Sequence, residues 1–381
     1  MKWVFFIAFP GSILGLNLFL AWALWRFFSP NKKMQRAAAG SALAALVLFA
    51  LSFLGFLMQA QDNAFFAFTW EFLAFGVVPM IYLSLWALAG TVVVKCVPSL
   101  SRFKNVFAVA GILLVAASCF YGFWRFENPR VTYLIWKPET RELVQISDKP
   151  KLHAKMRIVA TADWHLGTRI GRERAEKFVR LINEQNPDLV VIAGDLIDGR
   201  IEPVEAEKSE EILRELRAPL GVFFSFGNHE YFGNIPRQKA FLKRAGVRLL
   251  QDESALVESC DGMQLCLIGR DDATNRFRAS IKNLLERKPA GMREDTPTFV
   301  LDHQPKGAAE AADAEADFVF SGHTHAGQLW PGTWLVGLFN AYVHGIWRDR
   351  ETLGYVTSGL GLWHIPYRIG SFSELVVIYI E

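Results

Sequence analysis

Five short segments contain the residue types that hold divalent metal ions in proteins. In each of them Asp, Asn or His follows an apolar run, and together they contain five of the eight histidines of the chain. The segments are Asp163-Trp164-His165, Gly194-Asp195, Gly227-Asn228-His229-Glu230, Asp302-His303 and Gly322-His323-Thr324-His325. Carboxylate, amide and imidazole groups together suit Mn, Fe or Zn. We therefore predict a metal site that several separate segments build jointly.

Apolar strands must position these segments. The runs that precede them are Met156–Thr161, Asp188–Ala193, Leu220–Phe226, Phe299–Leu301 and Phe318–Phe320. An amphipathic stretch, Arg172–Asn186, lies between the first and the second of these runs. Alternating strands and helices indicate an α/β fold, and strands rich in Val, Ile and Phe indicate a sheet covered on both faces. Because such sheets bind ligands beyond the carboxyl ends of their strands, we expect the segments to meet at one edge.

The five segments, in this order, resemble the calcineurin-like metallophosphoesterase superfamily. The resemblance extends to its bacterial membrane-associated branch and covers nearly all of residues 156–381. The further residues that carry it are Gly322–Gln328, Ser358–Gly361, Pro366, Arg368 and the terminal strand Glu374–Ile380. The resemblance implies an α/β/β/α arrangement, which is a β-sandwich flanked by helices with the metals at the strand ends.

The resemblance also implies a role for each residue of the motifs. One metal ion would be held by Asp163, His165, Asp195 and His325. The other would be held by Asp195, Asn228, His303 and His323, so that Asp195 bridges the two ions. His229 would not be a ligand but would stabilise or protonate the leaving oxygen. Asp198 or Glu230 would orient the ring of His229, unless both are simply solvated acids of loops.

The chain departs from the family pattern at two positions. Trp164 stands between Asp163 and His165, where the pattern usually has Leu, and we expect its bulk to reshape the wall of the pocket. In Gly269-Arg270-Asp271-Asp272, Arg270 stands where the branch usually has an apolar residue, and we assign it no role.

Two metal ions about 3.5–4 Å apart can clamp an in-line displacement at phosphorus. The resemblance therefore implies hydrolysis of a phosphate ester or pyrophosphate bond by a metal-activated hydroxide. We expect two divalent ions per site, with Mn preferred and Fe or Zn as alternatives. A catalytically inactive sensor of nucleotide or lipid is disfavoured, since every ligand position is filled.

Four apolar stretches are long enough to cross a bilayer, which needs about 20 residues of helix. They are Trp3–Trp25, Ala37–Ala60, Phe72–Val94 and Asn105–Trp124. The links between spans one and two and between spans three and four carry Lys and Arg, whereas the link between spans two and three has none. The positive-inside rule therefore predicts a multi-pass protein of the bacterial cytoplasmic membrane with its catalytic domain outside the cytoplasm. Arg125, Arg130, Lys137 and Arg141 argue for the opposite orientation.

The charge distribution separates the chain into parts. The net charge of +3 arises from residues 1–127, which hold nine Lys or Arg and three acids, and not from the remainder. Because nucleic-acid-binding domains show clustered basic charge, we expect no nucleic-acid partner. We predict a four-helix transmembrane domain at 1–127, a linker with short strands at 128–154, and the metallophosphoesterase domain at 155–381. Cys260 and Cys266 could pair across a hairpin or be two small strand residues.

The segment after His325 is apolar and aromatic, from Leu329 to Trp347. Such a segment could enter a membrane interface or hold an acyl chain, or it could pack as a hairpin against the spans. Together with the spans it favours a phosphorylated lipid or lipid-linked substrate. Some similar proteins cleave the pyrophosphate of UDP-2,3-diacylglucosamine at the cytoplasmic face, which is an alternative, as is a water-soluble substrate. Candidate contacts for the phosphate are Arg169, Arg172, Arg276 and Arg278.

Overall fold

The structure of the protein is a computed structural model that describes residues 64–381 and a few isolated helical positions between residues 33 and 51. The predicted span Trp3–Trp25 lies outside the described residues. The span Ala37–Ala60 also lies outside them, apart from those isolated positions. The chain divides into two compact units, and the second contains Trp124–Trp363 and Tyr367–Glu381.

Two long apolar helices precede the sheets. Helix α1 covers Ala64–Cys96, helix α2 covers Lys104–Glu127, and the helical turn Pro98–Phe103 joins them. In the described part of the chain, the stretches Ala74–Cys96 and Pro98–Glu127 are long and apolar enough to cross a membrane, with mean hydropathies of 2.0 and 2.2. They overlap the predicted spans Phe72–Val94 and Asn105–Trp124.

Glycines allow the two long helices to approach each other closely. The ring of Trp86 stacks on that of Phe107 at 4.5 Å between centroids, and its indole N–H donates to the Phe107 carbonyl at 2.9 Å. A Cβ atom at Gly90 would collide with the ring of Phe107, and one at Gly111 with the ring of Trp86. Small residues at such crossings are typical of helices that associate in lipid.

The rest of the chain forms two mixed β-sheets. The strands of the first sheet are β1 Arg130–Lys137, β2 Glu142–Ile146, β3 Met156–Thr161, β4 Leu189–Ala193, β5 Val222–Ser225, β6 Arg248–Leu249 and β13 Glu374–Ile380. Those of the second are β7 Glu253–Glu258, β8 Gln264–Gly269, β9 Thr298–Leu301, β10 Phe318–Ser321, β11 Gly345–Asp349 and β12 Thr352–Val356. The strand orders are β2-β1-β13-β3-β4-β5-β6 and β11-β12-β10-β9-β8-β7.

Short helices connect the strands. They are α3 Arg172–Asn183, α4 Glu202–Ala206, α5 Ser209–Leu213, α6 Ile235–Arg244, α7 Ile281–Glu286, α8 Ala308–Asp313 and α9 Gly332–Val336. Helices α6 and α7 begin at polar caps, because the side chains of Asn234 and Ser280 accept backbone N–H groups of their first turns.

Three buried apolar clusters separate four layers. Alternation along β4 sends Val190 and Ile192 into the cluster shared with α3 and α6, and sends Val191 and Ala193 into the cluster between the sheets. A third cluster joins the second sheet to α7 and α8. The predicted α/β class is confirmed, and the uninterrupted apolar run of β4 follows from its burial on both faces.

The strands predicted at 128–154 belong to the first sheet. β1 pairs in parallel with β13 over seven residues, and β2 pairs with β1. This segment is therefore part of the layered domain and not a linker outside it. Sequence alone could not show this, because β1 and its partner β13 lie more than 200 residues apart.

One edge of the domain collects the ends of the parallel strands. We call it the carboxyl edge; it is formed by the ends of β3, β4, β5, β8, β9 and β10. Strand β13 runs antiparallel to β3, with Val376 opposite Ala160, so β13 begins at this edge. Because β1 is parallel to β13 and Arg130 lies opposite Glu374, the chain also enters the domain at the carboxyl edge.

The buried carboxylate of Glu374 ties three strands together where β13 begins. It accepts hydrogen bonds from Thr132 of β1 at 2.6 Å, from Tyr355 of β12 at 2.7 Å and from the Ser358 N–H at 3.0 Å. His344 Nε2 lies 3.1 Å from it. Burial raises the pKa of Glu374, but the hydrogen bond and charge of His344 lower it more, to about 2.

We expect Glu374→Gln to lower the free energy of unfolding at neutral pH, and the deficit to shrink in acid. The folded pKa lies below the ordinary value of 4.5, so ionised Glu374 stabilises the fold above about pH 4.5. That contribution, about 3 kcal/mol, is lost as the pH falls towards 2. Thermal unfolding in detergent from pH 7 to 3 would measure it. Glu351→Gln, at an exposed position, is the control, and an equal deficit at all pH values would contradict the role of the charge.

Candidate metal centre

Asp163, His165 and His325 meet at the carboxyl edge. Asp163 and His165 follow β3, and His325 follows β10, so both sheets contribute. One ligand atom from each lies within 4.8 Å of the others. His325 Nε2 is 3.1 Å from His165 Nε2 and 3.6 Å from Asp163 Oδ1. All three residues are buried. The structure thus brings together three of the four residues predicted for the first ion.

Asp195, His303 and His323 form a second group of the same kind. Asp195 follows β4, and its Oδ2 lies 3.1 Å from His303 Nε2. The same oxygen lies 3.9 Å from His165 Nε2, which belongs to the first group. Asp195 therefore lies between the two groups, as expected of a residue that contacts both ions.

Two buried polar atoms show that the second group fits a cation. His303 Nδ1 lies 2.7 Å from the Ala193 carbonyl oxygen, to which only a protonated nitrogen can donate, so in the neutral ring Nε2 carries the lone pair that faces Asp195. The amide oxygen of Asn228 is buried without a hydrogen-bond partner. Buried oxygens are rarely left unpaired. A divalent cation would satisfy both the oxygen and the lone pair.

Burial prepares two of the histidines for metal binding. Burial, and the charge of His303, lower the pKa of His323 to about 4. Burial, and the charge of His165, lower the pKa of His325 well below its ordinary value. Both rings are therefore neutral at pH 7, which is the protonation state that a metal ligand requires.

The backbone of the predicted ligands is unusual. Asp163, His165, Asp195, His323 and His325 have φ of 56°, 52°, 51°, 69° and 50°. Residues other than glycine rarely adopt this left-handed conformation, and such strain concentrates at functional sites. All five residues lie in the turns that follow β3, β4 and β10.

Glycines provide the close approach that these turns need. A Cβ atom at Gly322 would collide with the carboxylate of Asp163, and one at Gly227 with the carboxylate of Asp195. The glycine that precedes a predicted ligand in one segment therefore makes room for a predicted ligand of another segment. This explains the Gly-Asn-His and Gly-His-Thr-His patterns in physical terms.

His229 lies beside the two groups and is held by an acid. Its Nδ1 lies 2.7 Å from Asp198 Oδ1, and its backbone N–H donates to Asp195 Oδ1 at 2.8 Å. Its Nε2 is 4.0 Å from Asp195 Oδ2. Burial lowers the pKa of His229, but the hydrogen bond to Asp198 and the charge of Asp195 outweigh burial and raise it. Asp198 is thus the acid that contacts the His229 ring.

Glu230 is one of the two acids predicted to orient the His229 ring, and its carboxylate has a different role. Its buried carboxylate accepts the backbone N–H groups of Asp195 and Ile197, each at 3.0 Å, and of Gly227 at 2.8 Å. It therefore clamps the loop that carries Asp195 to the loop that carries Asn228. Burial and the charge of Asp195 raise its pKa to about 7.

We expect Glu230→Gln to weaken metal binding by about 10–100-fold, since supporting residues of this kind fix the ligands. A Gln amide offers one acceptor oxygen where Glu offers two, so at least one buried N–H is left unpaired, at a cost of about 1–3 kcal/mol. Metal titration followed by thermal shift would measure both effects. Glu202→Gln, on exposed helix α4, is the control. An unchanged metal affinity would show that the clamp does not support the ligands.

Other residues singled out by the sequence have structural partners. Trp164 is fully buried, lies edge-on to Phe178 at 5.4 Å and donates to Thr161, so it packs in the core and forms no pocket wall. Arg278 lies 3.0 Å from Asp302, and Arg172 pairs with Glu176 at 2.9 Å. Cys260 and Cys266 are not bridged.

Two buried arginines have roles that sequence reasoning missed. Arg270 lies 3.1 Å from Asp302, the neighbour of His303, and 2.7 Å from Glu310. Arg368 donates to the carbonyls of Ser358 and Gly361, both at 2.6 Å. These hydrogen bonds fix the loop whose Gly359 lies against Asp163. A lone arginine in a loop carries no local signal of this kind.

Two sheets that both contribute Asp and His side chains at one edge are the arrangement typical of metallophosphoesterases. The family model of the calcineurin-like phosphoesterases matches residues 156–327. An uncharacterized metallophosphoesterase of Aquifex aeolicus is 30% identical over 232 residues, which cover 60% of this chain and 85% of the relative. The chain belongs to the calcineurin-like phosphoesterase family, which confirms the resemblance.

Relatives occur in animals and in bacteria. A protein of Danio rerio described as a transmembrane protein with metallophosphoesterase domain is 32% identical over 282 residues, 72% of this chain and 62% of the relative. An uncharacterized metallophosphoesterase of Helicobacter pylori is 32% identical over 244 residues, 64% of each chain. The chain thus spans a little over six tenths of the length of these two relatives.

Proposed function

We propose that the protein is a membrane-attached, two-metal phosphoesterase that hydrolyses a phosphate ester or pyrophosphate bond of a lipid or lipid-linked substrate. The observation that carries this proposal is the pair of ligand groups with Asp195 lying between them and His229 beside them. The family supports the reaction class, and the apolar helices support the attachment. Lipid is proposed as the substrate in preference to nucleic acid.

The predicted ligands would form two sets, one for each ion. Asp163, His165, Asp195 and His325 would hold one ion, and Asp195, Asn228, His303 and His323 the other. Divalent ions bound there, with Mn preferred over Fe or Zn, would supply Lewis-acid activation of water and neutralise the phosphoryl charge.

His229 would donate a proton to the leaving oxygen. Asp198 holds the ring through Nδ1, which leaves Nε2 as the proton donor, and the hydrogen bond to Asp198 and the charge of Asp195 raise the pKa of His229 against the effect of burial. A proton placed at the leaving oxygen lowers the barrier to bond cleavage, by about 10²–10⁴-fold in rate. His229 would thus act as a general acid and not as a ligand.

Activity assays separate the candidate functions. We expect hydrolysis of bis(p-nitrophenyl) phosphate with added Mn, and a higher kcat/KM for a phosphorylated lipid in mixed micelles than for a water-soluble phosphate ester. Absence of any turnover with Mn, Fe or Zn would favour a ligand sensor. A preference for the soluble ester would favour an anchored phosphodiesterase for soluble substrates.

We further propose the domain arrangement and its side of the membrane. A multi-pass membrane domain at 1–127 would precede the metallophosphoesterase domain at 155–381, to whose first sheet residues 128–154 add β1 and β2. The catalytic domain would lie outside the cytoplasm of a bacterial cell. In sealed right-side-out vesicles, external protease should then digest it. Digestion only from the cytoplasmic face would contradict this placement and favour a UDP-2,3-diacylglucosamine pyrophosphatase.

A further inference from the structure

Large apolar side chains are exposed around the carboxyl edge. Phe232 is 66% exposed, Phe277 95%, Trp334 69%, Leu338 63% and Phe339 78%. We call these five residues the apolar rim. Trp334, Leu338 and Phe339 come from the segment that begins with α9. A water-soluble surface seldom concentrates aromatic groups in this way, and such a patch marks a place of interaction.

The rim residues lie in segments that follow strands of the carboxyl edge. Phe232 follows β5 and Asn228, Phe277 follows β8, and the α9 segment follows β10 and His325. The ring of Phe232 lies 5.0 Å from that of His229. Tyr231, next to Phe232, donates to Asp271 at 2.6 Å, so the loops after β5 and β8 are joined. The rim is thus a feature of the same edge as the ligands.

The path of the chain indicates what covers the rim. Helix α2 is long and apolar enough to cross a membrane and ends at Glu127, and β1 begins at Arg130. The two residues between them can span only about 10 Å. Strand β1 begins at the carboxyl edge, since Arg130 lies opposite Glu374. The tether therefore joins α2 to the carboxyl edge of the domain and not to the opposite edge.

We propose that the apolar rim docks into the interfacial layer of the lipid bilayer, so that the metal centre faces the lipid headgroups. Aromatic and leucine side chains favour this layer, and the exposed Arg276 beside Phe277 suits the phosphate groups there. The docking is inferred from the exposure of the rim side chains and from the path of the chain between α2 and β1, and it does not depend on the proposed function. Its consequence, a headgroup phosphate as the scissile group, rests on the proposed function.

Collision measurements on nitroxide labels test the docking in the full-length protein. The protein would be reconstituted in nanodiscs of phosphatidylcholine and phosphatidylglycerol. Cys96 and Cys260 are exposed, whereas Cys119 and Cys266 are buried. Single labels would be placed at Phe339→Cys and Phe277→Cys in a Cys96→Ser, Cys260→Ser background. The matched control is the native Cys260 in a Cys96→Ser background, because it lies in the β7–β8 turn at the opposite edge.

We expect labels at 339 and 277 to collide several-fold more with oxygen than with a water-soluble nickel chelate, and the label at 260 to show the reverse. Labels at 339 and 277 that behave like the one at 260 would overturn the proposal. Dipolar broadening between labels at 339 would also overturn it, since a second copy of the chain would then cover the rim. Variants with an altered circular dichroism spectrum would be replaced by labels at Trp334→Cys and Leu338→Cys.

These measurements need no turnover. If the enzyme hydrolyses phosphate esters but its rim lies in water, the docking is contradicted and the proposed function is not. If the rim is docked but the protein hydrolyses no phosphate ester, the proposed function is contradicted and the docking is not.

Discussion

Asp195→Ala should release both metal ions and lower kcat/KM by roughly 10³-fold or more. Asp195 lies between the two ligand groups, 3.1 Å from His303 Nε2 and 3.9 Å from His165 Nε2. Lewis-acid stabilisation of the transition state amounts to several kcal/mol, and about 1.4 kcal/mol corresponds to a factor of ten in rate. Without the Asp195 carboxylate, the stabilisation that each of the two ions gives to the transition state would be lost.

Metal analysis separates this role from a general loss of structure. Metal content per chain should fall from two ions towards zero in Asp195→Ala, whereas Asp163→Ala should lose only the ion of its own group. Asp261→Ala, at the turn between β7 and β8, is the control and should retain both ions and full activity. An Asp195→Ala protein that keeps two ions per chain would show that the residue does not contact both.

His229→Ala should lower kcat by about 10²–10⁴-fold while both ions remain bound. The side chain is held 2.7 Å from Asp198, as the role of a proton donor beside the ligand groups requires. The loss should be largest for substrates with a poor leaving group, since a p-nitrophenolate departs without a proton. Comparison of p-nitrophenyl and alkyl phosphate esters would show this difference.

Asp198→Asn is the matched companion of His229→Ala. It keeps the size of the side chain but removes the charge that helps to raise the pKa of His229. We expect a smaller loss, about 10–100-fold, and a pH profile whose basic limb moves to lower pH. A fall in metal content in His229→Ala would instead identify His229 as a ligand, since its ring also lies close to His165 and Asp195.

The sequence predicted the parts of the molecule whose signal is local. The uninterrupted apolar run of β4, and its position before Gly194-Asp195, were enough to place a buried strand before a ligand. The order of the five segments indicated the family. Glycines before the ligands predicted tight turns, although not that Gly322 and Gly227 make room for carboxylates on other segments.

The remaining features depend on contacts between residues far apart in the chain. Nothing near Glu230 in the sequence shows that its carboxylate accepts N–H groups from two separate loops. Arg270 and Arg368 resemble ordinary surface arginines until the fold buries them beside Asp302 and Gly359. The pairing of β1 with β13 likewise depends on strands at opposite ends of the domain, so the segment looked like a linker.

The left-handed backbone of five predicted ligands has a consequence for how bound ions would be selected. Each such residue carries strain of order 1–3 kcal/mol, which the packing of the surrounding fold offsets. The fold would therefore fix the positions of the donor atoms before an ion binds, and every divalent ion would meet the same arrangement. An ion whose preferred coordination geometry differs from that arrangement would bind less tightly than one that fits it.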